Sequence, residues 1–229
     1  RFINNDVRKW QDTKTEVLDF EWKWSDDNQS AVVTIQLEEL IGNIKVPHTL
    51  IYRLYGNGEI DVNASFTTNE DFNLPRLSLQ ALFSPSLEQL EWYGRGPIEN
   101  YQDRKNAAYI GKYQSTVNDM KEKYVRSQSM GERCDTRWLT LTDKEGKGIK
   151  ITSADTFDFS ALHYTDKDLF DIKYGHDLAD IYRAEVVLNL DCIQRGLGNA
   201  SCGPGPRPKY EIQKNTVYRY AFRMSPFTK

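Results

Sequence analysis

Leu90-Glu91-Trp92-Tyr93-Gly94-Arg95-Gly96-Pro97-Ile98-Glu99-Asn100-Tyr101-Gln102-Asp103-Arg104 is the stretch around which the chain is read. It opens as a strand, with Leu90 and Trp92 alternating against Glu91. Gly94 and Gly96 around Arg95 permit positive φ, and Pro97 removes a ladder donor and fixes its own φ. The chain is therefore expected to leave its sheet at this corner. The five hydrogen-bonding residues that follow, Glu99, Asn100, Tyr101, Asp103 and Arg104, exceed what a plain connection needs. The corner is built to hold its own fold or a ligand.

Outward from it, the chain reads as strands. Glu16 to Trp24 alternates, with Val17, Phe20, Trp22 and Trp24 set against Asp19, Glu21 and Lys23, and Ala31 to Glu38 repeats the pattern. Pro47 to Tyr55 and Glu59 to Thr67 flank Gly56-Asn57-Gly58, the strongest hairpin signal present. Leu77 to Phe83 and Leu87 to Tyr93 are expected to pair across Ser84-Pro85-Ser86. Further strands are expected at Ala107 to Tyr113, Tyr124 to Ser129, Thr136 to Thr142, Ile149 to Ser153 and Phe157 to Ala161. Ile181 to Leu190 and Val217 to Met224 complete the set.

One helix stands out: Thr165 caps it, Asp168 completes a capping box, and Gly175 is expected to stop it. About a dozen strands with one short helix predict an all-β sandwich or barrel. Gly203 to Pro208 is followed by only one or two strands, which would not fold alone, so residues 1–229 read as one domain.

Bulk properties narrow the function. Hydrophobic content of 39% with five Trp, ten Phe and thirteen Tyr suits a sandwich core. A net charge of -3 with both signs interspersed gives no basic footprint for nucleic acid. No apolar run reaches the roughly 20 residues of a membrane helix. The start, Arg1-Phe2-Ile3-Asn4-Asn5-Asp6, lacks the apolar core of a signal peptide. Cys134, Cys192 and Cys202 show no metal spacing; at most one pair could bridge, and free buried thiols are expected.

The run Trp92 to Arg104 resembles the tryptophan, glycine-x-glycine-proline, glutamate-asparagine-tyrosine and aspartate-arginine motif of large β-galactosidases of glycoside hydrolase family 2. It is similar to their C-terminal domain, the small chain. Gly131-Glu132-Arg133-Cys134-Asp135-Thr136-Arg137-Trp138 agrees in order, as does Asn189-Leu190-Asp191 through Gly196-Leu197-Gly198-Asn199 to Pro204.

The resemblance implies a large antiparallel super-sandwich like that of galactose mutarotase. It implies an accessory domain cut from a longer, retaining enzyme that hydrolyses terminal β-D-galactosides. Such a domain walls one side of the active site and contacts the other domains. The catalytic carboxylates, roughly 5 Å apart in a retaining enzyme, would lie on a preceding TIM barrel, so this chain alone is expected to be inactive. No cofactor is expected here, and any metal ions of the longer enzyme are expected on its other domains. Implied partners are those domains and carbohydrate, in a homo-oligomer of bacterial origin, cytoplasmic or periplasmic.

Two sets of site candidates follow. In the best-studied relatives, the loop matching Gln194 to Pro208 carries a tryptophan against the bound galactoside. Here Cys202 takes that place, and a thiol cannot stack on a sugar. Asn199, Ser201, Cys202 and Gly203 are the substrate-proximal candidates, unless the loop only closes the sandwich. Trp92, Arg95, Glu99, Asn100, Tyr101, Asp103, Arg104, Arg133 and His176 are candidates to bind sugar or to hold the loop. As structure, Asp103 and Arg104 are expected to pair with Arg133, Asp135 or Arg137.

Two rivals stay open: a carbohydrate-binding module of the same fold and, with less support, a sugar epimerase. An epimerase would need a His and a Glu facing each other across a cleft. His48 reads as an exposed edge residue, His163 ends a strand, and His176 follows the helix stop, where the dipole would favour its charge. Trp92 and Trp138 are expected to be buried.

Overall fold

In the computed structural model, which describes residues 13–41, 44–69, 74–199 and 203–229, eleven antiparallel strands share one sheet that folds back on itself. β1 (Lys14–Trp24), β2 (Ser30–Ile41), β3 (Ile44–Tyr55) and β4 (Ile60–Thr67) form a meander. Its hairpin at Asn57-Gly58 turns as the sequence predicts: Gly58 sits at φ 86°, and the Tyr55 amide donates to the Glu59 carbonyl at 3.0 Å. The order continues through β11 (Val217–Thr228), β9 (Lys147–Leu162), β8 (Arg133–Thr142), β6 (Gln89–Gly96) and β7 (Tyr109–Thr116).

The long strand β9 makes the fold a sandwich. Its first part, Lys147 to Thr152, pairs with β11, and its last part, Asp158 to Leu162, pairs with β10 (Val186–Gln194). β10 in turn carries β5 (Arg76–Phe83), and these two lie over the face of β4 and β11. Leu188 and Leu190 are fully buried there, and the Tyr220 hydroxyl donates to the Leu190 carbonyl across the layers at 3.3 Å. One apolar cluster gathers Trp92, Phe159, Leu139 and Ile151, and a second gathers Phe66, Leu50, Leu77 and Ile212.

Four expectations need correction, the first being that β10 begins at Val186 and not at Ile181, which ends a 3-10 turn. β5 pairs with β10 and not with β6, because Leu77 and Leu79 pack on the Phe66 cluster, a long-range choice that local alternation does not encode. The segment Tyr124 to Ser129 is no strand but an extended connection bridged once, at Arg126 and Tyr174. Its backbone bonds go to the turn beyond the helix, with the Ser127 amide on Lys173 at 3.3 Å and the Gly175 amide on Val125 at 3.0 Å. The helix α1 (Asp166–Asp171) ends before Gly175, whose glycine serves close approach instead: a Cβ there would lie 2.1 Å from the Tyr124 carbonyl oxygen.

The capping box of α1 forms as read. Thr165 Oγ1 accepts from the Asp168 amide at 3.1 Å, and Asp168 accepts from the Thr165 amide at 2.8 Å. Arg183 binds the same carboxylate at 2.5 and 3.0 Å.

One sheet face is left uncovered by the described residues. On β1, Phe20, Trp22 and Trp24 are 58, 60 and 58% exposed. Cross-strand register places them in rows with Ile35, Val33 and Ala31 on β2 and with Leu50, Tyr52 and Leu54 on β3. This is the face that, further along the sheet, is buried as Ala64, Val62 and Phe222. Among the described residues, the apolar side of the sheet thus outruns the layer that covers it.

Candidate functional site

The corner after β6 is a set of interlocked hydrogen bonds. Trp92 is buried against Phe159 and Tyr113, lies under the Arg133 guanidinium, and donates its indole N–H to the Arg95 carbonyl at 3.0 Å. Gly94 is required by contact, since a Cβ would meet Thr136 Oγ1 at 2.6 Å and its Cα at 2.9 Å. The strand runs on through Gly94 and Gly96, so the chain leaves the sheet two residues later than their glycine content suggests.

Arg95 donates to Asp135 and, at 2.8 Å, to the Ala108 carbonyl, while Lys105 reaches Asp135 at 2.7 Å. Burial would raise the Asp135 carboxyl, but Lys105 and Arg95 outweigh it and hold its pKa below the ordinary value. Asn100 is buried and exchanges bonds with the strand beyond. Its amide donates to the Glu132 carbonyl at 2.9 Å, its Oδ1 accepts from the Cys134 amide at 2.9 Å, and its Nδ2 donates to the Ile98 carbonyl at 3.0 Å.

Glu99 accepts from Tyr101 at 3.1 Å, from the Gly131 amide at 2.9 Å and from Tyr124. Burial pushes the Tyr101 hydroxyl up. It also pulls the buried Arg133 guanidinium down below its usual value. Glu99 and Tyr101 are committed to the fold, whereas the buried Nε of Arg133 has no hydrogen-bond partner among the described residues.

Asp103 and Arg104 act differently from the expected ion pairs. Asp103 accepts from the Leu197 amide at 3.0 Å and the Gly198 amide at 2.7 Å, and Arg104 donates to the Gly198 carbonyl at 2.6 Å. Together they clamp the base of the loop that follows β10. Backbone amides were the better partners because Gly196 lets the carboxylate approach: a Cβ there would lie 2.8 Å from Asp103 Cγ. The Asn199 amide closes the loop on the Pro204 carbonyl at 2.9 Å.

A cavity of about 730 Å³ sits beside this clamp, lined by Asp103, Arg104, Asn199, Arg207 and Tyr210 among others. Gly203 is exposed at its side of the loop, whereas Ser201 and Cys202 lie outside the described residues. Arg207 and Tyr210 were not singled out in the sequence. Their only signal is position, Arg207 within the Gly/Pro run and Tyr210 just past it. Lys209 covers the Tyr210 ring at 4.6 Å.

His176 is not part of this group: it is exposed, stacked on Tyr174 at 5.4 Å and 3.1 Å from Asp177. It follows Asp171 by five residues, beyond the last turn of α1 where a dipole acts. His163 is buried with both ring nitrogens engaged, by Glu88 at 3.0 Å and by the Glu185 carbonyl at 3.1 Å. His48 corrects its reading as an exposed edge residue. It is half-buried, edge-on to Phe66 at 4.3 Å, and burial takes its pKa down to about 4.

A second polar cluster escaped the sequence reading. Arg76 binds Asp191 through two nitrogens at 2.6 to 2.9 Å, Glu132 at 3.0 Å and Asp166 at 2.9 Å. Burial, with Asp191 beside it, raises the Glu132 carboxyl well above its ordinary value. Its only sequence signal is an arginine leading the otherwise apolar alternation of β5. Nearby, Asp158 accepts from the Asp135 amide at 2.9 Å and from Gln102 at 2.5 Å, and burial lifts its carboxyl to about 6.

Among the described residues no three His, Cys, Asp or Glu side chains are grouped to hold a metal ion. Cys134 is a buried free thiol and Cys192 a half-buried one, which burial pushes up to about 12.

Comparison with known proteins agrees with the motifs. The chain is 29% identical over 198 residues to a β-galactosidase of Priestia megaterium, covering 85% of this chain and 19% of that protein. It is 28% identical over 215 residues to one of Staphylococcus xylosus, covering 91% and 21% respectively. The chain thus spans about a fifth of the length of the curated relatives it matches. Among solved structures it is similar to an α-galactosidase of Geobacillus stearothermophilus at TM-score 0.46 and 11% identity, covering 93% of this chain and 28% of that one. The sequence profile of the β-galactosidase small chain matches residues 1–224. This chain belongs to the β-galactosidase small chain family.

Proposed function

We propose that the chain is the accessory domain of a β-galactosidase, docked within a longer protein through the face of β1 and walling one side of its active site with the loop after β10. The observation that carries this reading is the row Phe20, Trp22 and Trp24, each more than half exposed on a continuous apolar sheet face. Contiguous aromatics of this kind mark a surface that another element covers. The similar enzymes have about four fifths of their length outside the matched region, which is enough to supply that cover.

In this reading hydrolysis of terminal β-D-galactosides belongs to the longer protein. A retaining mechanism needs a free nucleophile and an acid. Here Asp191 and Glu132 are tied to Arg76, Asp135 to Arg95 and Lys105, and Asp158 to Gln102 and the Asp135 amide. The purified chain is therefore expected to leave a chromogenic β-galactoside intact.

The test places Trp22→Asp with Trp24→Asp in the longer protein and in the chain alone. Activity and assembly should fall in the first, while the melting temperature of the second stays where it was. Full activity and unchanged assembly of the longer variant would refute the docking.

The Asp103–Arg104 clamp gives the loop a fixed base, as a loop that meets substrate requires. Cys202→Trp in the longer protein should then lower KM for a galactoside, by about fivefold if stacking adds 1 kcal/mol. An unchanged KM would leave the loop a closure of the sandwich.

A further inference from the structure

We propose that a second cleft, running from the inner face of β3 and β4 round the edge strand β5 to its outer face, binds a neutral saccharide through the imidazole of His48 and the carboxamide of Gln80. The cleft measures about 620 Å³ and has an apolar floor of Phe66, Leu74 and Leu77. That is within the range of small-molecule sites and large enough for one or two sugar rings.

Its polar groups are unusual in what they leave free. The ring nitrogens of His48 have no hydrogen-bond partner among the described residues, although the ring is fixed edge-on against Phe66. With its pKa down at about 4, the imidazole is neutral, so it offers one donor and one acceptor at two separate points of the ring. Gln80 donates its Nε2 to Asn189 Oδ1 at 2.9 Å, and Asn189 donates to Ser160 Oγ at 3.2 Å. That chain holds the carboxamide still and leaves its Oε1 as an open acceptor. Adjacent hydroxyls of a sugar, each both donor and acceptor, match such a set.

The charged groups around the cleft argue against an ionic ligand. Arg76 is neutralised by Asp191 and Asp166, Arg183 by Asp168, and Lys167 by Asp171. Glu39 is the one lining acid without a cation beside it among the described residues, and it would repel an anionic sugar. A neutral polyol loses nothing to either.

The experiment titrates the full 229-residue chain with lactose, with its anionic counterpart lactobionate and with a soluble β-galactan, following the His48 ring and Gln80 carboxamide by NMR. Lactose or galactan should move both sets of signals, galactan alone meaning that a longer glycan is the ligand. Lactobionate should bind at least about tenfold more weakly. His48→Ala and Gln80→Ala should each weaken binding about tenfold, the loss of one or two neutral hydrogen bonds. Gln80 is exposed, so its variant should still fold and keep the test readable if His48→Ala unfolds. Absence of any shift at saturating lactose and galactan would overturn the proposal. So would tighter binding of lactobionate, or affinity untouched by Gln80→Ala.

Discussion

Trp92 on β6 and Trp22 on β1 occupy equivalent places in two strands of the same kind, each alternating apolar against polar residues. Trp92 is 1% exposed, packed by Phe159, Tyr113 and Arg133, with its N–H satisfied. Trp22 is 60% exposed, and the one aromatic ring near it among the described residues is Trp24, 6.4 Å away. Alternation decides which side chains share a face. Whether that face is covered depends on a second layer, and for β1 the described residues supply none.

The difference can be broken most sharply by truncation. Trp92→Ala should destabilise the chain by about 3–5 kcal/mol in urea denaturation, the usual cost of removing a fully buried indole. A loss below about 1 kcal/mol would mean that the corner is not the packed region described here.

Next comes the acid beneath that corner. Asp158 titrates near 6 in the fold against an ordinary 3.8, so its carboxylate form is disfavoured by folding. Its contribution to stability is fully present below the ordinary value and is lost as pH rises through about 6. Asp158→Asn should remove this decline, on the order of 2 kcal/mol between pH 4 and 7. Asp168 has the opposite sign. Chiefly through its hydrogen bonds from Arg183, its pKa falls to about 2, so its contribution is present above the ordinary value and fades as pH drops towards 2. An Asp158→Asn variant whose pH profile matches the parent's would show that this acid is not strained by burial.

Releasing the loop should cost less. Asp103→Ala removes the acceptor of the Leu197 and Gly198 amides, and about 1–2 kcal/mol is expected. Hydrogen exchange should speed at those two amides and not at Cys134, whose amide is held by Asn100. Uniform exchange across both sites would dissolve the distinction between clamp and corner.

Smallest of all, Trp22→Ala in the isolated chain should change stability by less than about 0.5 kcal/mol, as exposed positions do. A loss comparable to that of Trp92→Ala would erase the comparison.

Much of the fold was legible because local chemistry dictates it. Asn57-Gly58 turns its hairpin, Thr165 and Asp168 cap their helix, and the strands stand close to where alternation puts them. What stayed hidden is set by distant parts of the chain. Alternation on β5 could not say that its partner is β10. Trp138 was expected inside but is half-buried on the outer face, between Lys112 and Lys150 at 5.9 and 5.3 Å, because its strand offers two faces and the sequence does not say which is inner.

At the site, Asp103 and Arg104 were read as pairing with Arg133, Asp135 or Arg137, and their backbone partners at Leu197 and Gly198 were not legible. Those depend on how closely Gly196 lets the carboxylate approach. Arg76 and His48 were missed or misread because each draws its meaning from the layer packed over it.

The docking of β1 is tested most directly by oxidative footprinting of the tryptophans, read by mass spectrometry in the isolated chain and in the longer protein. In the isolated chain Trp22 and Trp24 should oxidise rapidly while Trp92 stays untouched. In the longer protein all three should be protected alike. Trp22 and Trp24 oxidising equally fast in both would show that nothing covers this face, and the chain would not be docked through it.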